Sequence, residues 1–195
     1  MARPLRINLV DGWYHVMNRG LRRWNICAEP EDYRRFLDTL GEACSRFRVL
    51  VGAYCLMPNH YHLLLKTPEA NLSRFMRHLD GVYTQRFNRT HGNDGPLFRG
   101  RYRALVVDAD EYLTQVVRYI HSNPVEAGLA SRLSDYSWSS HRCYIKSRGA
   151  PVWLCAKTVL AWFGSSHSQA VRAYASFMSE SPDPSLKRFY SRQRL

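Results

Sequence analysis

Two strand-like apolar segments separated by only two residues limit the fold of this chain more than any other feature. Residues 49–57 (VLVGAYCLM) and 60–66 (HYHLLLK) lie on either side of Pro58-Asn59, a dipeptide typical of turns. A two-residue connection can join only neighbouring antiparallel strands. The sequence therefore predicts a β-hairpin near the middle of the chain.

Helix and strand patterns alternate on both sides of this hairpin. Strands are predicted at 13–18 and 101–107, and helices at 29–47, from Asn71 to the HGNDG stretch at 91–95, and from a cap at Asp108 to a stop at Asn123-Pro124. The resulting order is β–α–β–β–α–β–α. We therefore expect an α+β fold, a ferredoxin-like sandwich with a central antiparallel sheet.

The composition changes after about residue 145. Residues 146–151 (KSRGAP) have the composition of a linker, and two short helical patterns follow them. We predict one domain over 1–145, a helical C-terminal extension over 146–181, and a mobile basic tail over 182–195.

An excess of positive charge indicates the kind of partner. The chain has 28 Lys and Arg against 16 Asp and Glu, a formal net charge of +12, which favours a polyanion such as nucleic acid. No apolar run approaches the roughly 18 residues of a membrane helix, and no signal peptide is evident. Five scattered cysteines fit a reducing compartment. We expect a cytoplasmic protein with no membrane partner.

The first candidate for chemistry is His60-Tyr61-His62 on the second strand of the hairpin. Alternate residues of a strand share a face, so both imidazoles lie on one face and Tyr61 on the other. This spacing suits two ligands of one metal, although such histidines also occur paired with carboxylates or exposed. A two-residue turn would pair Met57 with His60 and Cys55 with His62, which places Cys55 on the histidine face.

The second candidate is the helix predicted over 109–123. Its apolar stripe consists of Leu113, Val116, Val117 and Ile120, while Tyr112, Gln115, Tyr119 and Asn123 form a separate polar face. Tyrosines at the edge of a core give the same pattern. Beside a metal, however, this face would offer Tyr119 as a nucleophile and Asn123, one turn later, as a third ligand.

The third candidate is the basic segment 71–103, which contains seven arginines and two acids. Arginines interleaved with aromatic residues are typical of surfaces that bind single-stranded nucleic acid. A solvated helix face over an aromatic core gives a similar composition, and several of these aromatic residues fall in the apolar stripe. The predicted DNA-binding residues are therefore the arginines Arg74, Arg77, Arg86, Arg99, Arg101 and Arg103.

Taken together, these segments resemble a known family. MPNHYHLLL (57–65) is similar to the metal-binding strand of the HUH single-strand endonucleases, and YIHSNPVEAGL (119–129) to the catalytic helix of their single-tyrosine transposases. With FRGRY (98–102) and YHVMNRG (14–20), the chain most resembles the REP-associated tyrosine transposases over roughly residues 5–145.

The resemblance implies both a fold and an activity. Members of this family have a ferredoxin-like sheet, and they cut and rejoin single-stranded DNA near palindromic hairpins through a 5′-phosphotyrosine. By position, Tyr119 matches the nucleophile, His60 and His62 the HUH pair, and Asn123 the third metal ligand. The implied cofactor is Mg²⁺ or Mn²⁺, with no nucleotide cofactor. The implied partner is single-stranded or hairpin DNA, bound by a monomer or homodimer at the bacterial nucleoid.

Two alternatives to a DNA-cutting enzyme remain open: a binding protein and a zinc hydrolase. A former transposase that grips hairpin DNA or RNA without cutting would have the same charge. A zinc hydrolase that uses the two histidines is the other alternative, although a third histidine or carboxylate ligand is not evident. Zinc would fit the site better if Cys55 joined the histidines. Glu126 stands where the family usually has a basic residue, which weakens DNA contact at that position.

Overall fold

Four antiparallel strands form one sheet with helices on both faces. The computed structural model describes residues 8–107, 110–146 and 149–180. The strands are β1 (Gly12–Arg19), β2 (Leu50–Met57), β3 (His60–Thr67) and β4 (Arg103–Val106). The helices are α1 (Pro30–Phe47), α2 (Leu72–His91), α3 (Asp110–Glu126), α4 (His141–Ile145), α5 (Ala156–Leu160) and α6 (His167–Ser179).

The order of the strands in the sheet is β2–β3–β1–β4, and every neighbouring pair is antiparallel. The hairpin partners β2 and β3 lie at one side, and β1 lies between β3 and β4. This is the arrangement of a βαββαβ sandwich, so the predicted ferredoxin-like α+β fold is confirmed.

Local sequence signals explain where the two long helices begin and end. Pro30 occupies the first turn of α1, and Glu29 and Asp32 form a reciprocal capping box there. Helix α2 ends at Gly92, whose φ of 63° lies in the left-handed region that glycine adopts without a steric penalty.

The two faces of the sheet carry different layers of helices. Tyr61 is completely buried on one face, where its ring packs against Phe36 of α1 and its hydroxyl donates to Asp80 of α2 at 2.7 Å. His62 points to the opposite face, where its ring meets Tyr119 of α3. Helices α1 and α2 therefore lie behind the sheet, and α3 lies on the histidine face.

The predicted stop of α3 at Asn123-Pro124 is wrong, because the helix runs on to Glu126 with Pro124 inside it. Proline removes only its own backbone donor, and the next turn still forms, with the Ala127 N–H donating to the Asn123 carbonyl at 2.9 Å. The expected cap at Asp108 lies outside the described residues.

Segments that follow α3 cover the outer edge of β2. The Leu56 N–H donates to the Trp138 carbonyl at 2.9 Å, and the Val51 N–H to the Trp153 carbonyl at 3.3 Å. The edge strand therefore has backbone partners within the chain, which removes a template for unwanted strand pairing.

Helices α4 to α6 share the hydrophobic core of the sheet, to which Tyr144, Val159 and Tyr174 contribute fully buried side chains. The predicted domain boundary at 145/146 stays a prediction. The basic tail over 182–195 lies outside the described residues. No helix in the described ranges is long and apolar enough to cross a membrane.

Candidate active site

A pocket of about 160 Å³ lies between the histidine face of the sheet and α3. It contains all four residues predicted as catalytic or metal-binding. Its lining consists of Met17, Arg19, Met57, His60, His62, Tyr119, Asn123, Glu126 and Ala127. The structure therefore brings together side chains that are about 60 residues apart in the sequence.

The turn of the hairpin orients His60. The predicted pairing of Met57 with His60 is confirmed. Asn59 donates its side-chain Nδ2 to the Arg23 carbonyl at 3.3 Å, and its Oδ1 lies 2.6 Å from His60 Nδ1. Because an amide oxygen can only accept, His60 must carry its proton on Nδ1. When the ring is neutral, this tautomer leaves the lone pair on Nε2, the atom a metal would bind.

His15 on β1 contacts His62 from within the protein. Its Nε2 lies 3.0 Å from His62 Nδ1, and the two rings stack with centroids 5.2 Å apart. His15 is completely buried, and burial lowers its pKa to about 3, so the ring is neutral. When His62 donates from Nδ1 to His15, its Nε2 lone pair becomes available to a metal.

The ring of Tyr119 sits against these histidines. Its centroid lies 5.6 Å from that of His15 and 5.4 Å from that of His62, and both contacts are edge-on. Tyr119 is 8% exposed, whereas Tyr112, two turns earlier, is 42% exposed and is absent from the described lining of the pocket. Of the two tyrosines on this helix face, the geometry thus favours Tyr119 as the nucleophile.

Asn123 lies one turn beyond Tyr119 and is 7% exposed. Its Nδ2 donates to the Tyr119 carbonyl at 2.6 Å. The amide nitrogen is thus used within the helix, and Oδ1 is the atom left to offer lone pairs. An oxygen beside two imidazole nitrogens is a donor set that suits Mg²⁺ or Mn²⁺.

Cys55 does pair with His62 as predicted, but its thiol is poorly suited to zinc. The side chain is fully buried, its sulfur lies 3.7 Å from Met57 Sδ, and burial raises the pKa of the thiol far above its usual value. Within the described ranges, no group of three or more His, Cys, Asp or Glu side chains is arranged to hold a metal ion.

Sequence reasoning missed His15 and Arg19, and it treated Glu126 only as a departure from the family. His15, Met17 and Arg19 alternate along β1, so strand periodicity places them on one face. That this face lines the pocket depends on the pairing of β1 with β3, which the sequence alone did not supply. Glu126 joins the pocket because α3 continues beyond Pro124 and places it two turns after Tyr119.

The predicted DNA-binding arginines fall on two sides of the sheet. Arg103 lies opposite Met17 in the β1–β4 pairing and so faces the pocket side, and the Arg99 N–H donates to the Arg19 carbonyl at 2.9 Å. Arg101 is exposed in the same connection. By contrast, Arg74, Arg77 and Arg86 lie on α2 behind the sheet, and Arg86 forms a two-pronged ion pair with Glu42. Their role in DNA binding stays a prediction.

A buried polar network fixes α3 from its other side. His121 places Nε2 2.7 Å from Ser140 Oγ and Nδ1 2.8 Å from the Tyr174 hydroxyl. That hydroxyl also lies 2.6 Å from His141 Nδ1. In addition, Arg118 donates to the Phe177 carbonyl at 2.6 Å. The C-terminal helix α6 therefore holds the two turns of α3 that include Tyr119.

The fold and the grouping of His60, His62 and Tyr119 agree with the result of a comparison with the sequence profiles of known families. The profile described as "Transposase IS200 like" matches residues 8–123. The chain therefore belongs to the IS200-like transposase family.

Two relatives narrow this further. A Haemophilus influenzae protein named "Putative REP-associated tyrosine transposase" is 24% identical in an alignment of 132 positions that covers 62% of this chain and 75% of that protein. A solved structure of a REP-associated tyrosine transposase bound to a REP hairpin matches with a TM-score of 0.64 and 20% identity, covering 78% of this chain and 90% of that one. The resemblance to this family is thus confirmed, and the second match supports the fold.

Removing the Tyr174 hydroxyl should destabilise the protein. In Tyr174→Phe, His121 and His141 both lose a buried partner, and we expect the free energy of unfolding to fall by about 1–3 kcal/mol in chemical denaturation. Tyr112→Phe, which alters an exposed hydroxyl, is the matched control and should change it by less than about 0.5 kcal/mol. Equal values for the two variants would contradict the network.

Stability should also fall as the pH drops below neutral. Burial lowers the pKa of His141 to about 4, and burial together with the nearby His141 lowers that of His121 well below its usual value. Below about pH 6.5 the two histidines bind protons in the unfolded chain but not in the folded state. Their contribution to the free energy of unfolding is therefore fully present above about that pH and declines toward about pH 4. We expect about 1.4 kcal/mol per pH unit for each histidine. Urea denaturation between pH 7 and 5 measures this slope, and a flat profile would contradict it.

Proposed function

We propose that this chain is a metal-dependent single-strand DNA endonuclease and transesterase that cuts and rejoins DNA near hairpin elements. The observation that carries the proposal is the contact of Tyr119 with His62 in a pocket that also contains His60 and Asn123. One nucleophile beside one cation site suffices for phosphodiester exchange.

His60, His62 and Asn123 would hold a divalent cation, with Mg²⁺ or Mn²⁺ as the best match to their donor atoms. When bound, such a cation withdraws charge from a non-bridging oxygen of the scissile phosphate and so stabilises the transition state. The hydrogen bonds from Asn59 to His60 and between His15 and His62 orient the two imidazoles before any cation arrives.

Tyr119 would supply the nucleophile. Its phenol oxygen forms a bond to phosphorus, the bond from phosphorus to the 3′-oxygen breaks, and the phenol proton passes through solvent to the leaving 3′-hydroxyl. The product is a 5′-phosphotyrosine, and the reverse attack by a 3′-hydroxyl rejoins the strand. Because the covalent bond conserves the energy of the phosphodiester, the reaction needs no nucleotide cofactor.

The substrate would be DNA with a hairpin and single-stranded flanks. The relative of known structure is bound to a REP hairpin, and a net charge of +12 suits a nucleic acid. A pocket of about 160 Å³ admits a phosphate of a flexible strand more readily than one held in a duplex. Arg99, Arg101 and Arg103 would contact this DNA on the pocket side.

Replacing Tyr119 tests the nucleophile. Tyr119→Phe should reduce covalent attachment to a labelled hairpin oligonucleotide with single-stranded flanks by at least about a thousandfold, because only the reacting oxygen is lost. Hairpin affinity should stay nearly unchanged, since the hydroxyl is one contact among many. The matched control Tyr112→Phe should form the adduct normally, and the opposite pattern would assign the nucleophile to Tyr112.

Replacing the histidines tests the cation site. His60→Ala and His62→Ala should each abolish Mn²⁺-dependent cutting and weaken Mn²⁺ binding in calorimetry, because each removes one ligand. Asn59→Ala should weaken Mn²⁺ binding by about 10- to 100-fold, since it removes only the partner that orients His60. Unchanged Mn²⁺ affinity in His60→Ala would contradict the site. A wild-type protein that binds flanked hairpins but never forms the adduct would instead support a non-cutting hairpin-binding protein.

A further inference from the structure

The loop of residues 20–24, which joins β1 to the rest of the chain, lies directly beside the pocket. It follows Arg19, which lines the pocket and lies opposite His60 in the β1–β3 strand pairing. Its backbone is fixed by neighbours, since the Gly20 N–H donates to the Asn59 carbonyl and the Leu21 N–H to the Leu97 carbonyl, both at 2.9 Å. The start of the loop is thus hydrogen-bonded to the turn that precedes His60.

This loop exposes a large aromatic side chain. Trp24 is 61% exposed, and the Arg22 guanidinium lies 5.7 Å from the centroid of its ring. Arg22 and Arg23 are also exposed, and neither forms an ion pair with any residue in the described ranges. The loop therefore combines an aromatic ring that is largely open to solvent with two positive charges that no carboxylate in the described ranges neutralises.

The backbone of the loop adopts dihedral angles that are uncommon for residues with a side chain. Arg22 and Arg23 have φ values of 52° and 66°, which side chains other than glycine seldom adopt. In addition, a Cβ at Gly20 would lie 2.1 Å from the Trp24 carbonyl oxygen, so only glycine fits there. None of residues 21–25 is buried, so this shape presents side chains outward and contributes no buried side chain.

We propose that Trp24 is a stacking platform for one unpaired base of the single-stranded flank next to the scissile phosphate. Arg22 and Arg23 would bind the phosphates on the two sides of that base. The proposal rests on the proposed function, because it takes single-stranded DNA as the substrate. It adds a contact surface outside the catalytic pocket, on residues that perform no chemistry.

The chemistry of the loop favours a single strand over other partners. A ring face can stack on any unpaired base, but it cannot reach bases stacked within a duplex. Neighbouring guanidiniums match the repeating phosphates of a strand. The position beside Arg19 and His60 places the stacked base next to the strand that enters the pocket.

The test compares hairpin oligonucleotides with and without single-stranded flanks, at low salt and without divalent cations, so that binding is measured without cutting. Trp24→Ala should weaken binding of the flanked hairpin by about 5- to 100-fold, the range for loss of one stacked base. Binding of the blunt hairpin should not change. Trp24→Phe, which keeps a ring, should restore most of the affinity, and Tyr112→Ala, which removes an exposed aromatic side chain elsewhere, should bind like the wild type.

A second arm identifies the base. An abasic position is moved along each flank in turn, and one position should weaken wild-type binding as much as Trp24→Ala does, with no further loss when both changes are combined. Equal affinity of Trp24→Ala and wild type for the flanked hairpin would overturn the proposal. An equal loss of affinity for the blunt hairpin would also overturn it. So would a difference between free Trp24→Ala and free wild type in sedimentation, which would indicate that the loop is an interface between two copies of the chain.

The outcome separates this inference from the proposed function. If wild-type protein forms no covalent adduct but Trp24→Ala still loses affinity only for flanked hairpins, the stacking platform is supported and the proposed cutting activity is contradicted. If the adduct forms through Tyr119 and Trp24→Ala binds normally, the cutting activity stands and the platform falls.

Discussion

The two-residue turn at Pro58-Asn59 is the constraint on which the rest of the site depends. A turn this short fixes the register of β2 and β3, and a slip of one residue would send His60 and His62 to the opposite face of the sheet. The same turn supplies Asn59, whose side chain sets the protonated nitrogen of His60. Register and ligand orientation therefore have a common origin in a dipeptide.

Much of the fold and the centre of the site could be predicted because they depend on local patterns. The turn dipeptide, the alternation of His60 and His62, and the one-turn spacing of Tyr119 and Asn123 are readable without knowing which strands are neighbours. His15 could not be assigned in this way, because its contact with His62 needs the pairing of β1 with β3. The place of Glu126 in the pocket could not be predicted for a local reason, because Asn123-Pro124 predicts the end of a helix that in fact continues to Glu126.

The distribution of arginines shows a second limit of sequence reasoning. Composition treats the segment from 71 to 103 as one basic surface, but the sheet divides it, with Arg103 on the pocket side and Arg74 behind. Conversely, the exposed ring of Trp24 lies outside that segment and gave no periodic signal. Charge counts identify a class of partner, whereas the path of a bound strand depends on which face each side chain occupies.

The bond from Asn59 to the Arg23 carbonyl has a thermodynamic consequence. Asn59 contacts the loop of residues 20–24 through one end of its amide and His60 through the other, so a shift of the loop that moved Asn59 would also change the orientation of the imidazole. Linkage requires such coupling to be reciprocal in binding free energy. If a DNA strand bound at the loop raises the affinity for the cation by some factor, the cation must raise the affinity for that strand by the same factor. This holds even if the strand and the cation never touch each other.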